Sequence, residues 1–313
     1  MALRGIIGQE RALRIFFGTL RRNRVPSAVL ISGDMGIGKR LAAMNYVKAI
    51  NCLAPADFDC CDECPSCRKI DAGMHPDITV LLPEGDEIKI DSIRKVEEVL
   101  FLKPFEGRKK AVIIDDADEM NINAANAFLK TLEEPPPDSL IILITSNPDR
   151  LPDTIRSRCM GIRFYPLPLE GCRELVSGGV KAEDLELVLR LSMGRPGLAL
   201  SDDFKAGREW FMRLLDTMLR GESREVWEDK AAMKSWLDMA FVFLRDMVVF
   251  AVTGDESALI YPGAGKGAYK NVKPQAVFEA WQNLQKLRGL LDFNLNKSIS
   301  WNYVSAIMQG LKI

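Results

Sequence analysis

Ala28-Val-Leu-Ile-Ser32 runs directly into Gly33-Asp-Met-Gly-Ile-Gly38-Lys39-Arg40, and this junction decides the fold. The apolar run reads as a buried strand and the glycines as a tight loop. The residues that follow read as a helix with Leu41, Met44 and Val47 on one face. A glycine-rich loop between a strand and a helix is the context of a phosphate-binding P-loop. Gly33, Gly36 and Gly38 let backbone N–H groups converge on phosphate oxygens, aided by the positive end of the helix. Lys39 is placed to reach the terminal phosphates of ATP. A plain glycine-rich turn is the alternative; the strand, the spacing and the lysine all weigh against it.

One position departs from the pattern. The residue after the lysine is ordinarily Ser or Thr, whose hydroxyl holds Mg²⁺. Here it is Arg40, which has no lone pair for a cation and repels one by its charge. The loop keeps the means to bind a nucleotide and lacks one ligand for metal-assisted hydrolysis. A second apolar run, Ala111 to Ile114, ends in Asp115-Asp116-Ala117-Asp118. A carboxylate at a strand tip beside a P-loop is a Walker B arrangement, with Asp115 orienting Mg²⁺ and Asp116 in the place of the residue that positions water. Asp116 is one methylene shorter than the Glu common there. Without the P-loop, a solvated acidic turn would be the better reading of these carboxylates.

Outward from the loop, strands alternate with helical patterns. Ile78 to Leu82 reads as a strand. Asp91 or Ser92 is expected to cap a helix whose apolar face is Ile93, Val96 and Leu100. Asn121 to Glu134 is a helix stopped by Pro135, Pro136 and Pro137, which donate no backbone hydrogen bond. Leu140 to Thr145 and Ile162 to Phe164 supply two more strands. Such alternation predicts an α/β domain, a mostly parallel sheet with flanking helices. Past Pro166 and Pro168 only helical periodicity remains. The expected divisions are an α/β domain over 1–165, a small helical unit over 166–203 and an all-α domain over 204–313. Apolar faces lie around Trp210–Leu219, Trp236–Val252, Val277–Leu291 and Ile299–Leu311, and Pro262 to Gly267 reads as a loop.

Cys52, Cys61, Cys64 and Cys67 form C-x8-C-x2-C-x2-C, an insert over 52–67. Tight turns bring such thiolates together, and four of them suit one Zn²⁺ in a closed structural site. An iron–sulfur cluster is the alternative for the same residues. Cys60 competes with Cys61 as a neighbour. His75 is a substitute ligand or, as expected before Pro76, a structural residue; Cys159 and Cys172 stand apart.

The chain has 313 residues, 47% hydrophobic and 27% charged, with a formal net charge of −1. That balance argues against a global basic field for nucleic acid. A local basic face of Arg94, Lys95, Lys103, Arg108, Lys109, Lys110 and Lys130 stays open, with scattered solvated charges as the default. Met1 to Gly8 carries no long apolar run, so no signal peptide is expected. Asp238, Arg245 and Asp246 interrupt the most apolar stretch, so no membrane contact is expected. Clustered cysteines without a mark of secretion point to a reducing cytoplasm.

Together these motifs resemble the AAA+ clamp loaders of bacteria, over nearly the whole chain and most densely from Ile7 to Cys159. Ile7-Gly8-Gln9-Glu10 is similar to the family's N-terminal box near the nucleotide base. Ala124-Ala-Asn-Ala-Phe-Leu-Lys-Thr-Leu-Glu-Glu-Pro135 is close to a signature segment of bacterial loaders. Thr145-Ser146-Asn147 sits where the family carries its sensor 1 polar residue, so Asn147 joins the nucleotide-binding candidates. Ser157-Arg158-Cys159 matches the loaders' SRC motif. The resemblance implies that Arg158 projects into the ATP site of the neighbouring subunit. A guanidinium brought from outside stabilises charge on the transferring phosphate. The alternative for Arg158 is a surface salt bridge.

Two departures select within the family. Arg40 replaces the hydroxyl, and the sensor 2 slot in Gly194-Arg-Pro-Gly-Leu-Ala-Leu200 reads Gly197, with Arg195 about 200° away around a helix. Weakened elements in cis beside an intact arginine for trans use resemble the family's stator subunits rather than its motors. The resemblance then implies an AAA+ module, a helical lid and a helical collar that joins subunits in a ring. It implies a stator in a hetero-pentamer with delta and the ATP-hydrolysing gamma/tau subunits of DNA polymerase III. That ring places a sliding clamp on primer-template DNA in the nucleoid-associated replisome. A gamma/tau-like motor is the rival, supported by Lys39, Asp115 and Asn147. A zinc-knuckle DNA-binding protein ranks lowest, because stacking aromatics are lacking beside the cysteines.

Overall fold

Five strands pair in parallel in the order β2-β3-β4-β1-β5: β1 (Ala28–Ser32), β2 (Ile78–Leu81), β3 (Lys110–Ile114), β4 (Ser139–Thr145) and β5 (Met160–Arg163). This computed structural model describes residues 2–85, 87–182, 185–221, 227–260, 273–291, 293 and 295–311. The helices in chain order are α1 (Glu10–Arg21), α2 (Lys39–Asn51), α3 (Pro65–Asp71), α4 (Ile90–Leu100), α5 (Ile122–Glu133), α6 (Asp153–Arg156), α7 (Leu169–Val176), α8 (Leu185–Ser192), α9 (Pro196–Ala199), α10 (Asp202–Leu219), α11 (Lys230–Thr253), α12 (Pro274–Gly289) and α13 (Lys297–Gly310).

The central strands are apolar at nearly every position because both faces of the sheet are covered. Their side chains alternate between two cores. Val29, Ile31, Ile113, Ile142 and Ile144 pack with Phe16 of α1 and with Tyr46 and Val47 of α2. Leu30, Val112, Ile114, Ile141 and Leu143 pack with Ile93, Val96 and Leu100 of α4 and with Phe128 of α5. The register Ile31↔Ile144 and Val112↔Ile141 aligns the strand ends. Because the strands are parallel, the loops after β1, β3 and β4 leave the same carboxyl edge, where open α/β sheets bind ligands.

Two local readings are corrected. Leu41 is exposed, and α2 buries Ala42, Ala43, Tyr46, Val47 and Ile50 instead. The helix is enclosed on most sides, so a single-stripe reading of it fails. The N-cap of α4 is Lys89, whose side chain makes no capping bond; Asp91 and Ser92 fall inside the first turn. Asn121 caps α5, its side chain accepting from the Ala124 amide at 3.0 Å.

The chain divides into two compact units, Met1–Leu175 with Met193–Leu198, and Val176–Ser192 with Ala199–Ile313. The second is helical, with a core that includes Phe211, Trp227, Trp236, Phe243, Leu284, Trp301 and Met308. Trp227 meets Trp301 edge-on at 4.9 Å between centroids. Among the described residues, no helix is long and apolar enough to cross a membrane. The Pro262 to Gly267 loop lies outside the described residues.

Candidate functional site

Gly33, Gly36 and Gly38 all hold positive φ, at 144°, 80° and 90°. A side chain is strained in that region, so the loop needs glycine there. Gly38 caps α2, whose first backbone bond runs from the Ala42 amide to the Gly38 carbonyl. The amides ahead of Ala42 precede that bond, and such N-terminal groups point out of a helix toward an anion.

Lys39 is buried, yet its ammonium folds back on the loop itself. It donates to the Gly33 carbonyl at 2.5 Å, the Asp34 carbonyl at 2.8 Å and the Ser146 hydroxyl at 3.0 Å. Burial lowers its pKa from the ordinary value, against the pull of Asp115, Asp116, Asp118 and Asp34. Arg40 is half exposed and its guanidinium lies 3.7 Å from the Asp115 carboxylate. Asp116 sits at φ 47°, and burial followed by Asp115 and Asp118 raises its pKa. Asn147 does not reach toward Lys39: its amide donates to Asp118 at 3.3 Å, and Thr145 donates to the same carboxylate at 2.6 Å. Asp118 and Ser146 were therefore missed as organisers of the site. Their signal was position, since each follows a strand that ends at the same edge.

Gly197, the residue expected in the sensor 2 position, meets the glycine-rich loop directly. The Gly197 amide donates to the Gly36 carbonyl at 2.8 Å. A Cβ on Gly197 would stand 2.9 Å from that oxygen, and one on Gly36 would stand 2.8 Å from the Leu198 amide nitrogen. Arg195 precedes α9, so helical spacing does not describe it. Gln9 is also structural in effect: its side chain donates to the Tyr165 carbonyl at 2.7 Å and accepts from the Tyr165 amide at 3.2 Å, fixing the chain just after β5.

Arg158 follows α6. Its guanidinium donates to the Thr154 carbonyl at 2.8 Å and pairs with Glu133 of α5, and the residue stays at the surface. Of the basic residues, Lys110 is buried and faces Asp77 at 3.3 Å, so it belongs to the interior rather than to a surface face. Arg94, Lys95, Lys103, Arg108 and Lys130 remain exposed.

Cys52, Cys61, Cys64 and Cys67 place their sulfurs within 4.8 Å of one another. Cys52 lies 3.5 Å from Cys61 and 4.0 Å from Cys64, and Cys61 lies 4.0 Å from Cys67. A tetrahedron with Zn–S bonds of about 2.3 Å has edges of about 3.8 Å. The donor set therefore fits one tetrahedral ion. Amides support the sulfurs: Cys61 donates to Cys52 at 3.4 Å, Cys64 to Cys61 at 3.3 Å and Cys67 to Cys64 at 3.4 Å. Burial would raise the Cys64 thiol, but the Cys67 and Leu53 amides together with the Cys67 and Cys61 side chains lower it to about 6. Cys60 stands outside the four, its thiol 3.5 Å from Asp62. His75 is buried with Nδ1 accepting from the Asp77 amide at 3.2 Å, a structural role. Lys48 of α2 anchors the insert, pairing with Asp62 at 2.6 Å and Asp71 at 2.5 Å.

The family model described as DNA polymerase III, delta subunit, matches residues 8–168. The chain is similar to DNA polymerase III subunit delta-prime of Bacillus subtilis, 29% identical over 290 residues, covering 88% of this chain and 86% of that one. It is 40% identical over 175 residues to the delta-prime subunit of Pseudomonas aeruginosa, covering 54% and 53% of the two chains. It is 33% identical over 205 residues to subunit gamma/tau of Mycoplasma genitalium, spanning 63% of this chain and 34% of that relative.

Proposed function

Because the chain belongs to the DNA polymerase III delta-subunit family, we propose that it works as a delta-prime-type stator of a bacterial clamp loader. In this reading the loader also contains delta and gamma/tau subunits, and it places a sliding clamp on primer-template DNA in the cytoplasmic replisome. The three-part division into AAA+ module, lid and collar belongs to the same proposal.

The observation that carries the stator reading is the state of the chain's own nucleotide loop. Lys39 is held by loop carbonyls and Ser146, Asp115 faces Arg40, and Asn147 is tied to Asp118. Mg²⁺ does not fit these residues, since Arg40 offers no oxygen and brings a positive charge to the carboxylate that would hold the ion. Arg158 is the residue available for chemistry elsewhere. Glu133 and the Thr154 carbonyl hold its guanidinium at the surface, pre-oriented for delivery to a neighbour's ATP site. The Cys52, Cys61, Cys64 and Cys67 site takes one Zn²⁺, which cross-links the insert and supplies no chemistry. Similarity to gamma/tau favours a motor as the second reading. Arg40 and the Gly197–Gly36 contact oppose it.

Assembly tests the proposal. Mixed with gamma/tau and delta, the chain is expected to enter one defined complex that loads clamp onto primed DNA. Failure to join that complex, with the chain folded, refutes the clamp-loader reading.

A further inference from the structure

We propose that the Arg40 guanidinium takes the place of the divalent cation in this P-loop, so that the site binds a nucleoside di- or triphosphate without metal. The inference rests on the nucleotide-loop part of the reading above and adds its ligand class and its counter-ion.

The loop retains what a phosphate needs. Its glycines hold the left-handed conformations, and Gly38 opens α2 with its leading amides ahead of the first helical bond. What has changed is the cation. A divalent ion ordinarily bridges phosphate oxygens, the loop hydroxyl and the strand-end carboxylate. Here the hydroxyl position and the positive charge are one residue, and that charge already faces Asp115 at 3.7 Å. A divalent ion on Asp115 would have to share that carboxylate with the guanidinium, and like charges so placed repel. A guanidinium carries five N–H donors, so it can face a carboxylate and still donate to phosphate oxygens.

The second cation is also internal. Lys39 has no carboxylate partner among its three bonds; they go to two carbonyls and a hydroxyl. A phosphate can therefore exchange for neutral acceptors without stranding an anion. Gly197 closes the other route to extra charge, because a side chain there would collide with the Gly36 carbonyl. Lys39 and Arg40 are thus the two cations of this loop, and Arg40 does the work of the metal.

The experiment is equilibrium binding of a fluorescent ADP or ATP analogue to the full chain, with excess Mg²⁺ and with EDTA. Wild type is expected to bind equally well in both within a factor of about two, or more tightly in EDTA. Arg40→Thr is expected to lose at least about tenfold in EDTA and to regain affinity when Mg²⁺ is added. Thermal melts confirm that the variant is folded, and Arg40→Lys, which keeps the charge, is expected to stay metal-independent. Wild-type binding that needs Mg²⁺ overturns the inference. Binding of no nucleotide under either condition also overturns it, while leaving assembly with gamma/tau and delta untouched as the separate test of the clamp-loader reading.

Discussion

Removing the Asp77 carboxylate tests how the α/β unit is held together near the metal insert. Asp77 is fully buried just ahead of β2. It accepts from the amides of Phe105 at 2.7 Å and of Glu106 and Gly107 at 2.8 Å, and it faces the buried Lys110 ammonium at 3.3 Å. Asp77→Ala therefore orphans three loop amides and one buried cation. Bonds to a charged acceptor are worth about 1.5–3 kcal/mol each, which bounds the loss from above. The loop is largely exposed at Phe105, so water can satisfy its amides once it opens. The remaining cost is that of breaking a buried pair, about 3–5 kcal/mol. That corresponds to a fall in Tm of about 10 °C for a unit of this size, read by circular dichroism. Asp77→Asn keeps an acceptor without the charge and should fall between. Its pH dependence is also fixed. Burial would raise the carboxyl, but the three amides and Lys110 hold it at about 2. The unfolded value is about 3.9, so the folded-state pKa is depressed. The carboxylate then contributes about 2.5 kcal/mol that is fully present above the unfolded value and is lost as pH falls through 2. A loss below about 1 kcal/mol in Asp77→Ala, with acid unfolding unchanged in Asp77→Asn, would refute the reasoning.

Three further outcomes follow from the same geometry. Metal analysis of chain purified without chelator should give about one zinc per molecule, and Cys67→Ser should abolish it and lower the melting temperature. Lys48→Ala should cost about 1.5–3 kcal/mol in denaturant unfolding, because it removes charged hydrogen bonds to Asp62 and Asp71, whose carboxylates are partly exposed and can be rehydrated. Gly197→Arg, which places an arginine at the position proposed as the sensor 2 slot, should destabilise by about 1–3 kcal/mol and add no ATPase activity, since its Cβ has 2.9 Å to the Gly36 carbonyl.

Elements whose physics is local were legible in the sequence. The run Ala28 to Ser32 coincides with β1, because a strand covered on both faces has no polar positions to blur its ends. The face Ile93, Val96 and Leu100 is buried as its spacing requires. The four-cysteine group converges because C-x2-C steps are short enough for turns alone to set the geometry. What stayed hidden depends on distant partners. Lys48 and Lys110 are buried cations whose carboxylates arrive from the insert and the end of α3, and from the residue before β2. Nothing near Asn147 in sequence announces Asp118, 29 positions away. The contact of Gly197 with Gly36 needs α9 to return to the loop after β1. Arg158 and Glu133 are 25 positions apart, and their pairing exists only once α5 and α6 are packed.

The central claim is that this chain gives an arginine to a neighbour rather than using its own nucleotide loop. The direct measurement is steady-state ATPase of the chain alone and in a mixture with gamma/tau, delta, clamp and primed DNA, for wild type and Arg158→Ala. The account predicts no turnover alone, stimulated turnover in the mixture, and a fall of about tenfold or more in Arg158→Ala with the complex still assembled. Mg²⁺-dependent turnover by the chain alone, abolished in Lys39→Ala, or an Arg158→Ala complex as active as wild type, would contradict it.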